Sequence, residues 1–312
     1  MFDWSRTNMS YRIEIDCNPA YELVISLFAY SKKNITKGIA LGSDWRRSVK
    51  SGLSASLSQE LDAALLDDFT GIDLLIGSCP DSQKATTSSF LNWLDQLQPA
   101  ELFHLLSPQL ESLPSNILDR KSRAVHLLRR WDQEYFSKVE AEIMESLMQD
   151  AETKRTWLSA MTPEDLFEEA TNGIRQLPTP ELELIRLVPQ YHLHPTNTSS
   201  HYKNMIVCLY ACDVSRAPSQ QPPPALNRLL SSLADPNRLA MLKFMSKQSR
   251  NFTELVQFSG LAKSTVHHHL VALRASGLVR VTAEGTSHVT YSLRDETLFQ
   301  MTGKLIDYIN EE

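Results

Sequence analysis

The stretch Gly260–Val279, GLAKSTVHHHLVALRASGLV, decides how the rest of the chain is read. From Lys263 onward its spacing is helical. Val266, Leu270 and Leu273 fall at i, i+4 and i+7 and make one apolar stripe, while Ser264, His268 and Val271 point to the opposite side. Lys263, His267 and Arg274 line the flank between those faces. Upstream, Asn251 and Glu254 form an N-x-x-E capping box for a short helix, and Gly260 suits the left-handed conformation that ends it. Further upstream, Asp235-Pro236 opens another helix, with a capping carboxylate and a proline at the first helical position. Leu239, Leu242 and Met245 then recur at helical spacing. Downstream of Ser276-Gly277 the period changes to alternation, through Val279 and Val281 and then Val289, Tyr291 and Leu293. Glu284-Gly285-Thr286-Ser287 is the turn of this β-hairpin. A last amphipathic helix from about Asp295 to Asn310 carries Leu298, Leu305 and Ile309 on one side and is too short to stand alone.

Two short helices joined by a tight glycine turn, the second with small, polar and basic residues in its first half, form a helix-turn-helix, and the hairpin is its wing. In ADPNRLAMLKFM (Ala234–Met245), the stretch quoted above and EGTSHVTYSL (Glu284–Leu293), the order and spacing resemble the winged helix-turn-helix of ArsR/SmtB-type bacterial transcription regulators. The resemblance covers the last part of the chain, and the long region ahead of it is similar to that of larger members of the family. It implies a cytoplasmic, dimeric, DNA-binding repressor or activator whose recognition helix enters the major groove.

The length of 312 residues suits two domains. At 42% hydrophobic and 22% charged, the chain can bury real cores, which excludes whole-chain disorder. No apolar run reaches the ~20 residues that span a bilayer. Cys17, Cys79, Cys208 and Cys212 are too few and too scattered for a disulfide framework, and no N-terminal signal stretch is evident, so a reducing cytoplasm is expected. The net charge of −6 hides an asymmetry. From Leu226 onward 10 Lys+Arg face 8 Asp+Glu, while the remainder carries 21 against 29. Between Arg238 and Arg280 seven cations face the single acid Glu254, a basic island in an acidic protein.

SRAPSQQPPP, Ser215–Pro224, cannot be helix or central strand and reads as a linker. The expected domains are therefore 1–214, mostly helical and regulatory or dimerising, and 225–312, the winged helix-turn-helix. The fold class is mainly α with small β elements, an N-terminal α+β domain preceding the wing domain. Helical patterns cover Pro19–Lys33, Ser43–Ala64, Ser88–Leu110, Asn116 to about Met148, and Thr162–Ile174, the last opened by Thr162-Pro163-Glu164-Asp165. Tyr11–Asp16, Glu183–His194 and Asn204–Asp213 read as strands that pair into one small sheet. LLIGSCPDS, Leu74–Ser82, reads as loop.

Residues near the start of a recognition helix reach base edges, while surrounding cations meet phosphates. The family pattern, carried over position by position, implies Lys263, Ser264, Thr265, His267 and His268 for the groove. Lys263 suits a guanine edge, and Ser264 or Thr265 suits phosphate or either base. Arg250, Arg274, Arg280 and His288 are phosphate candidates, set against the plainer reading of solvated surface charge. Arg238 is read as a structural ion-pair partner. Two departures from the family stand out. The wing tip is Thr286-Ser287-His288 where basic residues are usual, and the cap before Lys263 is Ala262, which costs up to about 1 kcal/mol of helix stability.

His267-His268-His269 cannot close on one ion, since successive helical residues are turned by about 100°. The family's metal sensors place Cys-x-Cys in the second motif helix or Asp/His ligands in the last helix. Here Val256 and Phe258 stand at the former positions, and no His or Cys follows His288. His192-x-His194 on a strand, with His201 beyond, can put two imidazoles on one face, but ordinary polar strand residues are the simpler reading. Cys208 and Cys212 read as buried thiols too far apart to bridge. There is no Gly-rich phosphate loop, zincin motif or nucleophile elbow, so no enzyme, metal or cofactor is expected. The functional expectation is an ArsR-type regulator that binds a palindromic operator in double-stranded DNA as a homodimer. An effector of unidentified chemistry at the N-terminal domain would control it, with repression as the outcome. The competing reading is a protein-interaction or signalling module that uses the winged helix as a scaffold.

Overall fold

The structure is a computed structural model that describes residues 10–32, 38–63, 69–214, 222–285 and 288–310. It divides into two compact units. One comprises Tyr11–Thr156 and Glu181–Ser215. The other joins Trp157–Pro180 to Arg216–Glu312. The expected single cut at 215–224 differs from this division, because a piece of chain well ahead of it groups with the wing domain. Residues 215–221 of the expected linker lie outside the described residues.

The first unit opens with β1 (Arg12–Ile15) and α1 (Pro19–Ser31), continues through α2 (Gly42–Gly52), α3 (Ala55–Ala63), α4 (Ile72–Ser78), α5 (Thr87–Gln96), α6 (Pro99–Leu106) and α7 (Ile117–Glu134), and reaches α8 (Glu140–Trp157). After α9 (Pro163–Ala170) and β2 (Ile174–Leu177), which belong to the second unit, it resumes with β3 (Leu184–Gln190), β4 (Thr198–His201) and β5 (Met205–Ala211). The three expected strands do form one sheet. Its order is β1-β3-β5-β4, with the first three parallel and β4 antiparallel. β5 is buried at every position but its last, the continuous apolar run of a parallel strand covered on both faces. Trp131, Phe90, Leu57 and Tyr21 are among the fully buried side chains of the helical core.

Several expected helices are shorter than their periodicity suggests. Ser88–Leu110 breaks where Gln98 and Glu101 form a capping box ahead of Pro99 and start α6. Asn116–Met148 breaks at Tyr135–Val139, where Phe136 turns into the core. Ser43–Ala64 breaks at Leu53. The reading of Leu74–Ser82 as loop is corrected. Ile72–Ser78 is a helix whose Ile72, Leu74, Leu75 and Ile76 are all buried, and a short 3-10 turn follows at Asp81–Gln83.

The second unit adds α10 (Pro224–Leu233), α11 (Pro236–Met245), α12 (Phe252–Ser259), α13 (Lys263–Ala275), β6 (Val279–Glu284), β7 (His288–Leu293) and α14 (Asp295–Asn310). Its core is Leu229, Met241, Leu242, Met245, Leu255, Val266, Leu270, Leu273, Leu278 and Val279. The hairpin pairs Val279 with Leu293 and Val281 with Tyr291. Here too a helical expectation is shortened: Thr162 caps α9 as read, but the helix stops at Ala170 and Ile174 opens a strand. β2 runs parallel to β6, so the wing sheet has three strands in the order β2-β6-β7. The reversal from α9 into β2 uses Asn172 at φ 56° and Gly173 at φ 109°. A Cβ at Gly173 would lie 2.8 Å from the Val279 carbonyl oxygen, so only glycine lets β2 lie this close to β6.

Candidate nucleic-acid interface

α13 is built by its apolar stripe. Val266, Leu270 and Leu273 are each no more than 4% exposed, which fixes the rotation of the helix and turns Lys263, Ser264, Thr265, His267 and His268 outward. These five are brought together on one exposed surface, with Val271 38% exposed beside them. The preceding turn is held as its residues dictate. Asn251 and Glu254 complete the capping box of α12, and Gly260 ends that helix at φ 64°. Ala262 occupies the cap position of α13 and supplies no side-chain hydrogen bond. The positive end of the helix is therefore left to solvent or an anion.

His269, the third of the run, is buried and separate from the other two. Arg238 Nε donates to His269 Nδ1 at 3.3 Å, and Asp235 lies 3.9 Å from the same nitrogen. Asp235 also accepts the Arg238 and Asn237 backbone N–H groups that cap α11, and these hold its carboxyl below the usual carboxylate range. Arg238 is thus bound up in the α11–α13 packing.

The cations expected at phosphates sit in different surroundings. Arg250 stacks on the Phe244 ring at 4.0 Å and pairs with Glu254 at 3.3 Å. Its backbone bridges to Tyr291, with N–H to carbonyl bonds of 2.8 and 2.7 Å. Arg280 is turned to Glu168, Nε to Oε1 2.5 Å, with Glu296 at 3.8 Å. Arg274 is half-buried in the last turn of α13, and His288 is exposed at the start of β7. Thr286 and Ser287 lie outside the described residues. The convergence is therefore on the first two turns of α13, and carboxylates of the same unit engage Arg250 and Arg280.

Elsewhere, no group of three side chains fit to hold a metal is found among the described residues. His192 and His194 are not on a strand. They lie in the turn after β3, where His192 Nδ1 meets Glu22 at 2.5 Å, its Nε2 meets the Tyr135 hydroxyl at 2.8 Å, and His194 Nε2 meets Asp213 at 2.7 Å. His201 stands apart at the end of β4. Cys208 and Cys212 are buried thiols, and burial pushes the Cys17 thiol up to about 12. No helix among the described residues is long and apolar enough to cross a membrane.

The residues that sequence reasoning missed are those of α9 and β2. Glu168 is 5% exposed and receives Arg175, Arg280 and Arg294, while Asn172 meets Arg294 and the Ala275 carbonyl. The acidic pattern PEDLFEEA was visible as a helix, but nothing local named its partner strand.

Residues 235–281 match the family described as bacterial regulatory protein, arsR family. Over 85 residues, 27% of this chain and 71% of the relative, the sequence is 38% identical to the HTH-type transcriptional regulator CmtR of Mycobacterium tuberculosis. Over 81 residues, 26% of this chain and 61% of the relative, it is 31% identical to a transcriptional repressor SmtB homolog of Synechocystis. Among solved structures, NolR from Sinorhizobium fredii is similar at 28% identity over 27% of this chain and 82% of its own, with a TM-score of 0.23. With its capped helices, glycine turn, recognition helix and wing, the chain belongs to the arsR family of DNA-binding transcription regulators.

Proposed function

We propose that the protein binds a palindromic operator in double-stranded DNA as a homodimer, in the cytoplasm, and represses transcription until an effector acts on the first unit. The observation that carries this reading is the outward set Lys263, Ser264, Thr265, His267 and His268 over a buried stripe on α13. A helix presented in this way fits the major groove, where its first turns meet base edges. Lys263 donates to a guanine edge, His268 and Val271 face the groove floor, and Arg274 and His288 meet phosphates. Arg250 and Arg280 act first as structural cations, because carboxylates already engage them. The dimer reading rests on α14. Phe299 is 82% exposed, and Ile306 and Ile309 are exposed at i+7 and i+10 from it, an apolar stripe suited to a second copy. The reading assigns no catalytic role to either unit.

Selection of duplexes from a random pool by the purified protein, followed by titration of the selected and a scrambled duplex across a salt series, tests it. The expected result is preference for a two-fold symmetric sequence, with affinity falling as salt rises. Equal, salt-sensitive affinity for both duplexes removes sequence-specific recognition. No affinity for either favours the interaction module, which the internal pairing of Arg250 and Arg280 would then explain.

A further inference from the structure

The wing of this protein is not held by the winged helix alone. Helix α9 and strand β2 come from chain that leaves the first unit at Thr156 and rejoins it at Glu181, and they form an extra layer on the wing sheet. At its centre is one buried carboxylate. Glu168 receives Arg280 of β6 at 2.5 Å, Arg175 of β2 at 2.9 Å and, at 3.7 Å, Arg294 ahead of α14. Around it, the Val281 N–H donates to the Gly173 carbonyl at 2.7 Å, and Asn172 Nδ2 donates to the Ala275 carbonyl at the end of α13. Arg294, the residue before α14, also donates to Asn172 Oδ1 at 3.1 Å. The end of the recognition helix, the first wing strand and the start of α14 are thus tied to one segment from outside the C-terminal domain.

We infer that Glu168 is a positioning residue for DNA recognition: through Arg280, Arg294 and the β2–β6 ladder it sets the wing and the end of α13 in the arrangement that reads DNA. This rests on the DNA-binding reading above. The segment is continuous in sequence at both ends with the first unit.

Electrostatics gives the test a sign. Glu168→Gln removes a negative charge from a protein that binds a polyanion, which by charge alone tightens binding. Loss of positioning weakens it. The variant remains foldable, because each arginine keeps a second carboxylate: Asp165 for Arg175, Glu296 for Arg280 and Glu169 for Arg294. Asp295→Asn, at an exposed carboxyl in the first turn of α14 and outside the contacts above, is the control for charge alone.

The experiment measures affinity of the full chain for a duplex selected by the wild type, together with amide hydrogen exchange. Glu168→Gln is expected to accelerate exchange at Val281, to leave the α11–α13 core protected, and to weaken the selected duplex by about tenfold, within the usual range of coupling between sites. Asp295→Asn is expected to bind as tightly as the wild type or tighter. Adding Gln176→Cys and Ala283→Cys, partners in the parallel ladder roughly 4.8 Å apart by strand spacing, is expected to restore affinity when oxidised and not when reduced. Undiminished affinity in Glu168→Gln, or failure of the oxidised ladder to restore it, overturns the inference. If Glu168→Gln does not fold, the same cysteine pair in the wild-type background decides, and oxidised protein that binds more weakly than reduced overturns it. A wild type that selects no duplex removes the DNA reading first, and the inference with it.

Discussion

Arg280 Nε lies 2.5 Å from Glu168 Oε1, a contact that closes 112 residues of sequence and joins the wing to a helix from the other side of the expected linker. An arginine at this place in a DNA-binding domain invites a phosphate role. Its position in the structure directs the guanidinium inward to a buried carboxylate. In the proposed function, base reading therefore falls to the exposed residues on the first two turns of α13.

His268→Ala is expected to weaken binding to a selected duplex by about 1 to 3 kcal/mol, the worth of one good base contact. Stability is expected to change little, because His268 is exposed on the face opposite Val266 and Leu270. Fluorescence anisotropy and a thermal melt on the same sample check both halves.

The start of the same helix carries a removable defect. Ala262 sits at the cap of α13 with extended backbone, φ −61° and ψ 145°, and offers no acceptor to the first N–H groups. Ala262→Ser is expected to stabilise the second unit by roughly 0.5 to 1 kcal/mol, read as a rise in denaturation midpoint. No change would show that those groups are already satisfied.

Phe299→Glu on α14 is expected to convert a dimer to a monomer in sedimentation equilibrium without unfolding the chain, since the ring is 82% exposed in the monomer. DNA affinity is expected to fall with it, as two half-sites are no longer engaged together. A variant that stays dimeric places the interface elsewhere.

Acid sensitivity of the second unit has a definite direction. Asp235 is held low chiefly by the Arg238 backbone N–H, Glu254 by the Asn251 backbone N–H, and Asp165 by the Thr162 hydroxyl and then Arg175. A carboxyl whose folded pKa lies below its unfolded value contributes stability above the unfolded value, near ~4, and loses it as pH falls through the folded one. Asp235→Ala is expected to lower stability at neutral pH and to flatten the acid limb of the stability profile. Parallel profiles for variant and wild type would contradict this.

What could be read from the sequence follows the range of the interactions involved. The Asp235 cap, the Asn251–Glu254 box, the Gly260 turn and the period change after Gly277 are each complete within a few residues, and each lies where it was read. The stripe at Val266, Leu270 and Leu273 carries its own helical period. By contrast, Ile174–Leu177 is a strand only because β6 lies beside it, more than a hundred residues on. His192 and His194 look like strand residues until Glu22, 170 residues away, accepts from the Tyr191 and His192 N–H groups and fixes a turn there. Ile72–Ser78 is a seven-residue helix with four apolar positions, too short for its period to separate buried helix from loop or strand.

The central claim is that the start of α13 reads bases, and Lys263 tests it most directly. Duplexes selected from a random pool by Lys263→Ala, compared with those selected by the wild type, are expected to lose preference at one symmetric pair of positions and keep it elsewhere. An unchanged consensus, bound only more weakly, would assign Lys263 to the phosphate backbone and contradict the account.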